Sequence, residues 1–301
     1  MERDDISLTF PGCVGCGTKN ILNLSNKKAD KVNFGGELSI LESTLKDRRG
    51  LNIYCSSGDL LCLLCKFMAF QGDIEENEVI HEPYFNQFFD IFYQAHMDLR
   101  TSLFLVICGH HRASKQVMRS AYENIIMGGY LALVDEDNID DQDIDEQTVK
   151  DSIKVFKKFR KGKFHFKRKR IKEVAKRLES IIDLPIDQKK KFLDVYDQFC
   201  QYIHPNPYGY AIYCEKDGCV FSLEYDEEYV INWYKDFQYL VFMFIVIFIN
   251  CFVYDIKQFL DTNPEVGDRI DLILDRVEES EEQIFLIDPL KDIINELIHI
   301  N

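Results

Sequence analysis

The chain has 301 residues, 46 % of them apolar and 29 % charged, with seven prolines and a formal net charge of −15. That composition excludes a disordered or fibrous chain, and the length allows a sizeable core in one or two domains. The opening "MERDDISLTFPG" lacks a basic stretch followed by an apolar one, so no secretory signal is visible and the cytoplasm is the expected location. In that compartment ten cysteines read as thiols or metal ligands rather than as a disulfide framework.

Residues 1–72 are rich in Gly and Cys, with strand-like pieces at "KVNFGGELSI" and "GLNIYC". Cys13-Val-Gly-Cys16-Gly17 has the spacing of a zinc knuckle, in which glycines let backbone N–H groups turn toward sulfur. A second pair, Cys62 and Cys65, follows Asp59, which can cap a helix carrying both thiols. Tetrahedral zinc needs four ligands, so Cys13, Cys16, Cys62 and Cys65 are the expected set for a structural ion. Cys55 is an alternative third ligand, and Cys62 and Cys65 as small buried hydrophobes is another reading. The order of knuckle, strand pair and helix-borne pair resembles a treble-clef zinc finger.

From Tyr84 the pattern turns helical. Phe85, Phe88, Phe89 and Phe92 fall on one stripe, as do Val117, Ala121, Ile125 and Gly128 or Gly129. His110 and His111 follow Gly109 at a predicted bend and read as surface or capping residues. The run "DEDNIDDQDIDE", 135–146, carries eight acids and no base, which predicts a solvated connection.

Close behind it comes "VFKKFRKGKFHFKRKR", 155–170, where Lys157, Lys158, Arg160, Lys161, Lys163, Lys167, Arg168, Lys169 and Arg170 alternate with Phe156, Phe159, Phe164 and Phe166. Cations release counterions from a phosphate chain and rings stack on exposed bases, a combination suited to single-stranded nucleic acid, with RNA favoured. Two other readings stand beside it: a solvated helix face, and an internal partner for the acidic run.

Helices resume at "IKEVAKRLESII" and at "DQKKKFLDVYDQFCQYI", where Phe192, Val195, Phe199 and Tyr202 or Ile203 form an inward stripe that Pro205 and Pro207 end. A "KDG" turn between alternating residues predicts a β-hairpin over 209–225, with Cys214 and Cys219 as structural cross-strand neighbours. The uncharged run from Tyr239 to Tyr254 is short of the roughly 20 residues of a spanning helix, so a core helix is expected rather than a membrane anchor. An acidic amphipathic tail, 261–301, closes the chain.

Two segments carry a further constellation. Arg119 and Glu123 stand four apart on one helix, and Tyr202, His204 and Asn206 end another beside prolines. At these places the chain, over roughly 84–260, resembles the HEPN-like helical families. The resemblance implies an up-and-down helical bundle, often a homo-oligomer, found in RNA-cleaving toxins and phage-defence proteins and in inactive binding relatives. Such nucleases use an Arg followed four to six residues later by a His and need no metal. No Arg precedes His204 at that spacing, so the catalytic candidates Arg119, Glu123 and His204 must meet across helices. The other reading of these three is an internal network that fixes helix register.

The expectation is therefore a mainly α chain. A small Cys-rich α+β zinc module spans 1–72, a helical bundle spans 73–260 with an exposed charged segment at 135–170 and a hairpin insertion, and an acidic helical tail follows. Its expected function is RNA binding, with metal-independent RNA cleavage as the catalytic form. The rival is a non-enzymatic protein-interaction or dimerisation module holding a structural zinc.

Overall fold

The computed structural model describes residues 7–8, 22–23, 35–69, 85–133, 171–172, 174–176, 195–200, 226–279 and 287–299. The protein is mainly helical, a bundle built on one apolar core. At the amino-terminal end, β1 (Ser7–Leu8) and β2 (Leu22–Asn23) pair antiparallel, Ser7 opposite Asn23 and Leu8 opposite Leu22.

Next come α1 (Gly35–Lys46) and α2 (Arg48–Met68), where the sequence reading expected strand pieces. The run around Ile53 and Tyr54 has local strand character, but helical spacing wins. It lets Ile53, Tyr54, Leu60, Leu61, Leu64 and Phe67 reach a common core. Asp59 is also not a cap. The cap of α2 is Asp47, whose Oδ1 accepts the Gly50 N–H at 2.8 Å, and Asp59 lies mid-helix with an ion pair to Arg276 at 2.8 Å.

The tight corner between these helices depends on Gly50. A Cβ there would meet the Thr44 carbonyl oxygen at 2.3 Å, a backbone atom that cannot swing aside. Alanine ordinarily improves a helix by about 1 kcal/mol over glycine, but overpacking costs about 1–3 kcal/mol and outweighs that gain here. Gly50→Ala should therefore lower the urea midpoint without changing the slope of the transition.

Helices α3 (Phe85–Ile107) and α4 (His111–Leu133) form an antiparallel hairpin. Gly109, at φ 80°, makes the turn. Its N–H donates to Val106 O at 3.0 Å and that of His110 to Leu105 O at 2.8 Å, a Schellman ending that requires the left-handed residue. The predicted stripes face the core, with Phe92 and Ile125 both at 0 % exposure. Phe85, Phe88 and Phe192 are among the stripe residues whose side chains lie outside the described set.

Helix α5 (Glu227–Thr262) fills the middle of the molecule. Asp226 caps it by accepting the Tyr229 N–H at 3.1 Å, and every residue from Phe237 to Ile249 is buried. Phe244, Phe248 and Phe252 receive the Phe92 ring edge-on at centroid distances of 5.2, 5.1 and 6.1 Å. The helix breaks at Phe252 (φ −131°, ψ 28°), just past Asn250, whose side chain donates to Val246 O at 2.8 Å. By length and apolarity α5 passes for a membrane span, yet its most apolar window is 72 % buried by the protein itself.

Helices α6 (Pro264–Glu278) and α7 (Ile287–His299) follow. Ile270, Ile273, Leu274 and Ile294 join the same core as Leu41 and Ile53. The expected boundary near residue 72 is thus no break in the packing, since α2 packs on α3, α5 and α6. The predicted hairpin at 209–225 and the charged segment at 135–170 lie outside the described residues.

Candidate functional site

Residues 119 and 123 lie one turn apart on α4, and Arg119 Nε donates to Glu123 Oε1 at 2.7 Å. The pair is not sealed away: its side chains are 21 % and 26 % exposed. Tyr196, in the helical residues 195–200, closes a triangle. Its hydroxyl accepts from Arg119 Nη2 at 3.3 Å and donates to Glu123 Oε1 at 3.4 Å. The guanidinium carbon sits 5.5 Å from the Tyr196 ring centre, and Tyr122 stacks on the same ring at 5.2 Å.

Burial, then the nearby Glu123 carboxylate, pushes the Tyr196 phenol up to about 12, so it stays a neutral donor. For Arg119 burial opposes the charge, but Glu123, ahead of Tyr196 and Cys200, outweighs it and raises its affinity for the proton. The arrangement presents a permanently cationic, partly exposed fork beside an aromatic ring, held in one orientation by a carboxylate. Such a fork suits phosphate oxygens. Sequence spacing pointed to Arg119 and Glu123; Tyr196, in contact with both, carried no local signal. His204 lies outside the described residues.

Just beyond the basic strip, Ile171, Val174 and Ala175 are buried, and Lys172 Nζ lies 2.5 Å from Asp197 Oδ2. Asp197 neighbours Tyr196. The nine cations from Lys157 to Arg170 themselves lie outside the described residues, as do Cys13 and Cys16.

Of the four expected zinc ligands, the structure describes two. Cys62 is 5 % exposed and belongs to the core cluster. Cys65 is half-buried, and its Sγ lies 3.3 Å from Nε2 of His96 on α3. Burial, then Cys62, pushes the Cys65 thiol up to about 11, whereas burial, then Arg100, pushes His96 down to about 4. These directions are the reverse of an activated thiolate–imidazolium nucleophile. Cys55 lies ten residues before Cys65 on the same helix, about 15 Å along its axis, so those two thiols cannot share an ion. Among the described residues no three His, Cys, Asp or Glu side chains converge as a metal site.

A third polar cluster went unnoticed in the sequence. Lys115, with its side chain 2 % exposed, pairs with Asp236 of α5 and reaches toward Asn232 O at 3.5 Å. Its Nζ stands 5.9 Å from the Tyr229 ring centre. His111, read as a surface or capping residue, opens α4 and is 6 % exposed. It lies 4.1 Å from Tyr229 between ring centres, and its carbonyl accepts from the Tyr229 hydroxyl at 3.1 Å.

Comparison with protein-family models, curated proteins and solved structures finds no match to this chain.

Proposed function

We propose that the protein binds single-stranded RNA along the phenylalanine-studded basic strip, with Arg119 as an adjoining phosphate contact. The observation that supports this reading is a continuity. The strip ends at Arg170, two residues before Lys172, whose ammonium pairs with Asp197, and Tyr196 next to it holds Arg119. A phosphate chain leaving the strip would therefore have a preoriented, partly exposed guanidinium within the same neighbourhood. The net charge of −15 confines such attraction to this neighbourhood.

The catalytic form of the reading adds His204 as the group that moves the proton of a ribose hydroxyl, while Arg119 stabilises charge growing on phosphate. Glu123 then orients Arg119. The non-catalytic rival, a protein-interaction module, has no reason to respond to salt. Both are separated by incubating the purified chain with labelled single-stranded RNA across a salt series, scoring retention and cutting together. Retention should fall linearly in log–log form as salt rises. If the RNA is cut, Arg119→Ala and His204→Ala should each abolish cutting while the circular dichroism spectrum is unchanged. Cutting that survives both changes removes these residues from the mechanism, and salt-insensitive retention removes RNA from the function.

We further propose a structural zinc on the Cys13–Cys16 knuckle. The pairing of Ser7–Leu8 with Leu22–Asn23 supports it, because it closes the loop of chain that contains both cysteines. Such an ion contributes folding energy on the order of 10 kcal/mol in small modules.

A further inference from the structure

We infer that α2 is a releasable helix: together with α1 it lifts off the body formed by α3, α4 and α5 as one unit, in a minor opening that precedes general unfolding. The buried polar groups along its seam build this opening into the fold.

Residues 56–59 of α2 read Ser-Ser-Gly-Asp. All four are poor helix formers, because glycine loses the most backbone freedom in a helix and Ser and Asp side chains compete for backbone hydrogen bonds. They stand at the centre of a 21-residue helix, and all four are buried, so their polar groups must be answered within the protein. Two are not. Among the described residues Ser57 Oγ has no hydrogen-bond partner, and neither has Asp59 Oδ1, although Arg276 Nη2 lies 2.8 Å from it as a counter-charge; Arg276 Nε also lacks one.

The facing wall has the same defect. Glu227 opens α5 and pairs with Arg49, near the start of α2, at 3.1 Å. The two helices also pack along each other, so they run in the same direction from that corner. Gln238 stands three turns beyond Glu227 and returns to within about 20° of the same side of α5, whereas Asp236, paired with Lys115 of α4, points about 160° away from it. Gln238 is 3 % exposed, and neither atom of its amide has a partner among the described residues. Measured along the helices from the Arg49–Glu227 corner, it stands about 16 Å on and Ser57 about 12 Å on.

Each unanswered polar atom favours the opened state, where water binds it, by roughly fivefold to a hundredfold. The other side of α5 is bonded instead. Lys115 pairs with Asp236, Trp233 Nε1 donates to Ser102 Oγ at 2.9 Å, and Ser102 Oγ donates to Ser114 O at 3.0 Å. Burial of Leu60, Leu64 and Phe67 keeps α2 closed in the ground state. Because α1 and α2 precede α3 in the chain, they can leave without unthreading the later helices, as a contiguous unit of the kind that opens below the global limit.

Hydrogen exchange of the full chain, read by mass spectrometry of its peptides, tests this. Amides of 48–68 should exchange at least about tenfold faster than those of 111–133 and 237–249, and with a shallower dependence on urea, since a partial opening exposes less surface than global unfolding. Exchange of 48–68 in step with the other two segments overturns the inference. Gln238→Met, which keeps the length of the side chain and removes its amide, should slow exchange of 48–68 by about tenfold, although the change is on α5. Unaltered or faster exchange there shows that the amide does not loosen the seam and overturns the inference as well. Should Gln238→Met lose the helical circular dichroism spectrum, Ser57→Ala, which removes only an oxygen, carries the same expectation and the same refutation.

Discussion

Asp236→Ala should destabilise the protein by about 3–5 kcal/mol, the cost of leaving one member of a buried ion pair without the other. The burden falls on Lys115, 2 % exposed, because Asp236 at 22 % keeps some contact with water. Burial already holds the Lys115 ammonium below its usual 10.5, with Asp236 pulling the other way. A lysine whose folded value is depressed gives its full stabilisation above 10.5, and that contribution is lost as pH falls through the lower folded value. Removing Asp236 lowers the folded value further. The deficit of the variant, read from urea midpoints, should therefore be large at neutral pH and shrink as pH rises toward 10.5. Adding Lys115→Met should recover most of the loss, because an apolar side chain of similar length leaves no stranded charge. An Asp236→Ala midpoint within about 0.5 kcal/mol of the parent, a size typical of neutral surface changes, would show that the pair carries no such load.

Changing Lys157, Lys158, Arg160 and Lys161 together to Glu should cut single-stranded RNA affinity at low salt by at least about a hundredfold. It should also flatten the salt dependence. With each phosphate contact contributing about 0.7 to the log–log slope on a single strand, nine contacts give about −6, and loss of four makes the slope shallower by about 3. Between 50 and 200 mM salt the parent would then lose affinity on the order of 10⁴-fold. Parallel slopes for parent and variant would mean that other cations hold the RNA. Unchanged affinity would mean that these four side chains face their own acidic neighbours and not an external chain.

What the sequence revealed were the features whose cause is local. Phe89 and Phe92, Ala121 and Ile125, and Val195 and Phe199 all repeat at helical spacing, and each is buried as that spacing predicts. The Arg119–Glu123 ion pair follows from a separation of four on one helix. The misread stretch at 50–55 is a short apolar run, for which strand and helix signals overlap; its helix is settled by Asp47 upstream and by the core it reaches. The unread contacts join residues far apart in the chain: Lys115 with Asp236, Cys65 with His96 and Arg119 with Tyr196. Nothing in the neighbourhood of Lys115 announces burial, because its counter-charge is 121 positions away.

Because the rod at the centre of the molecule spans 227–262, the ribosome delivers it after α1 through α4. Those earlier helices can pair with one another, but Phe92 lacks the Phe244, Phe248 and Phe252 rings it packs on until the rod is inserted. Newly made polypeptide would thus spend seconds of synthesis as a sticky half-product, its apolar stripes covered only once residues 227–262 arrive.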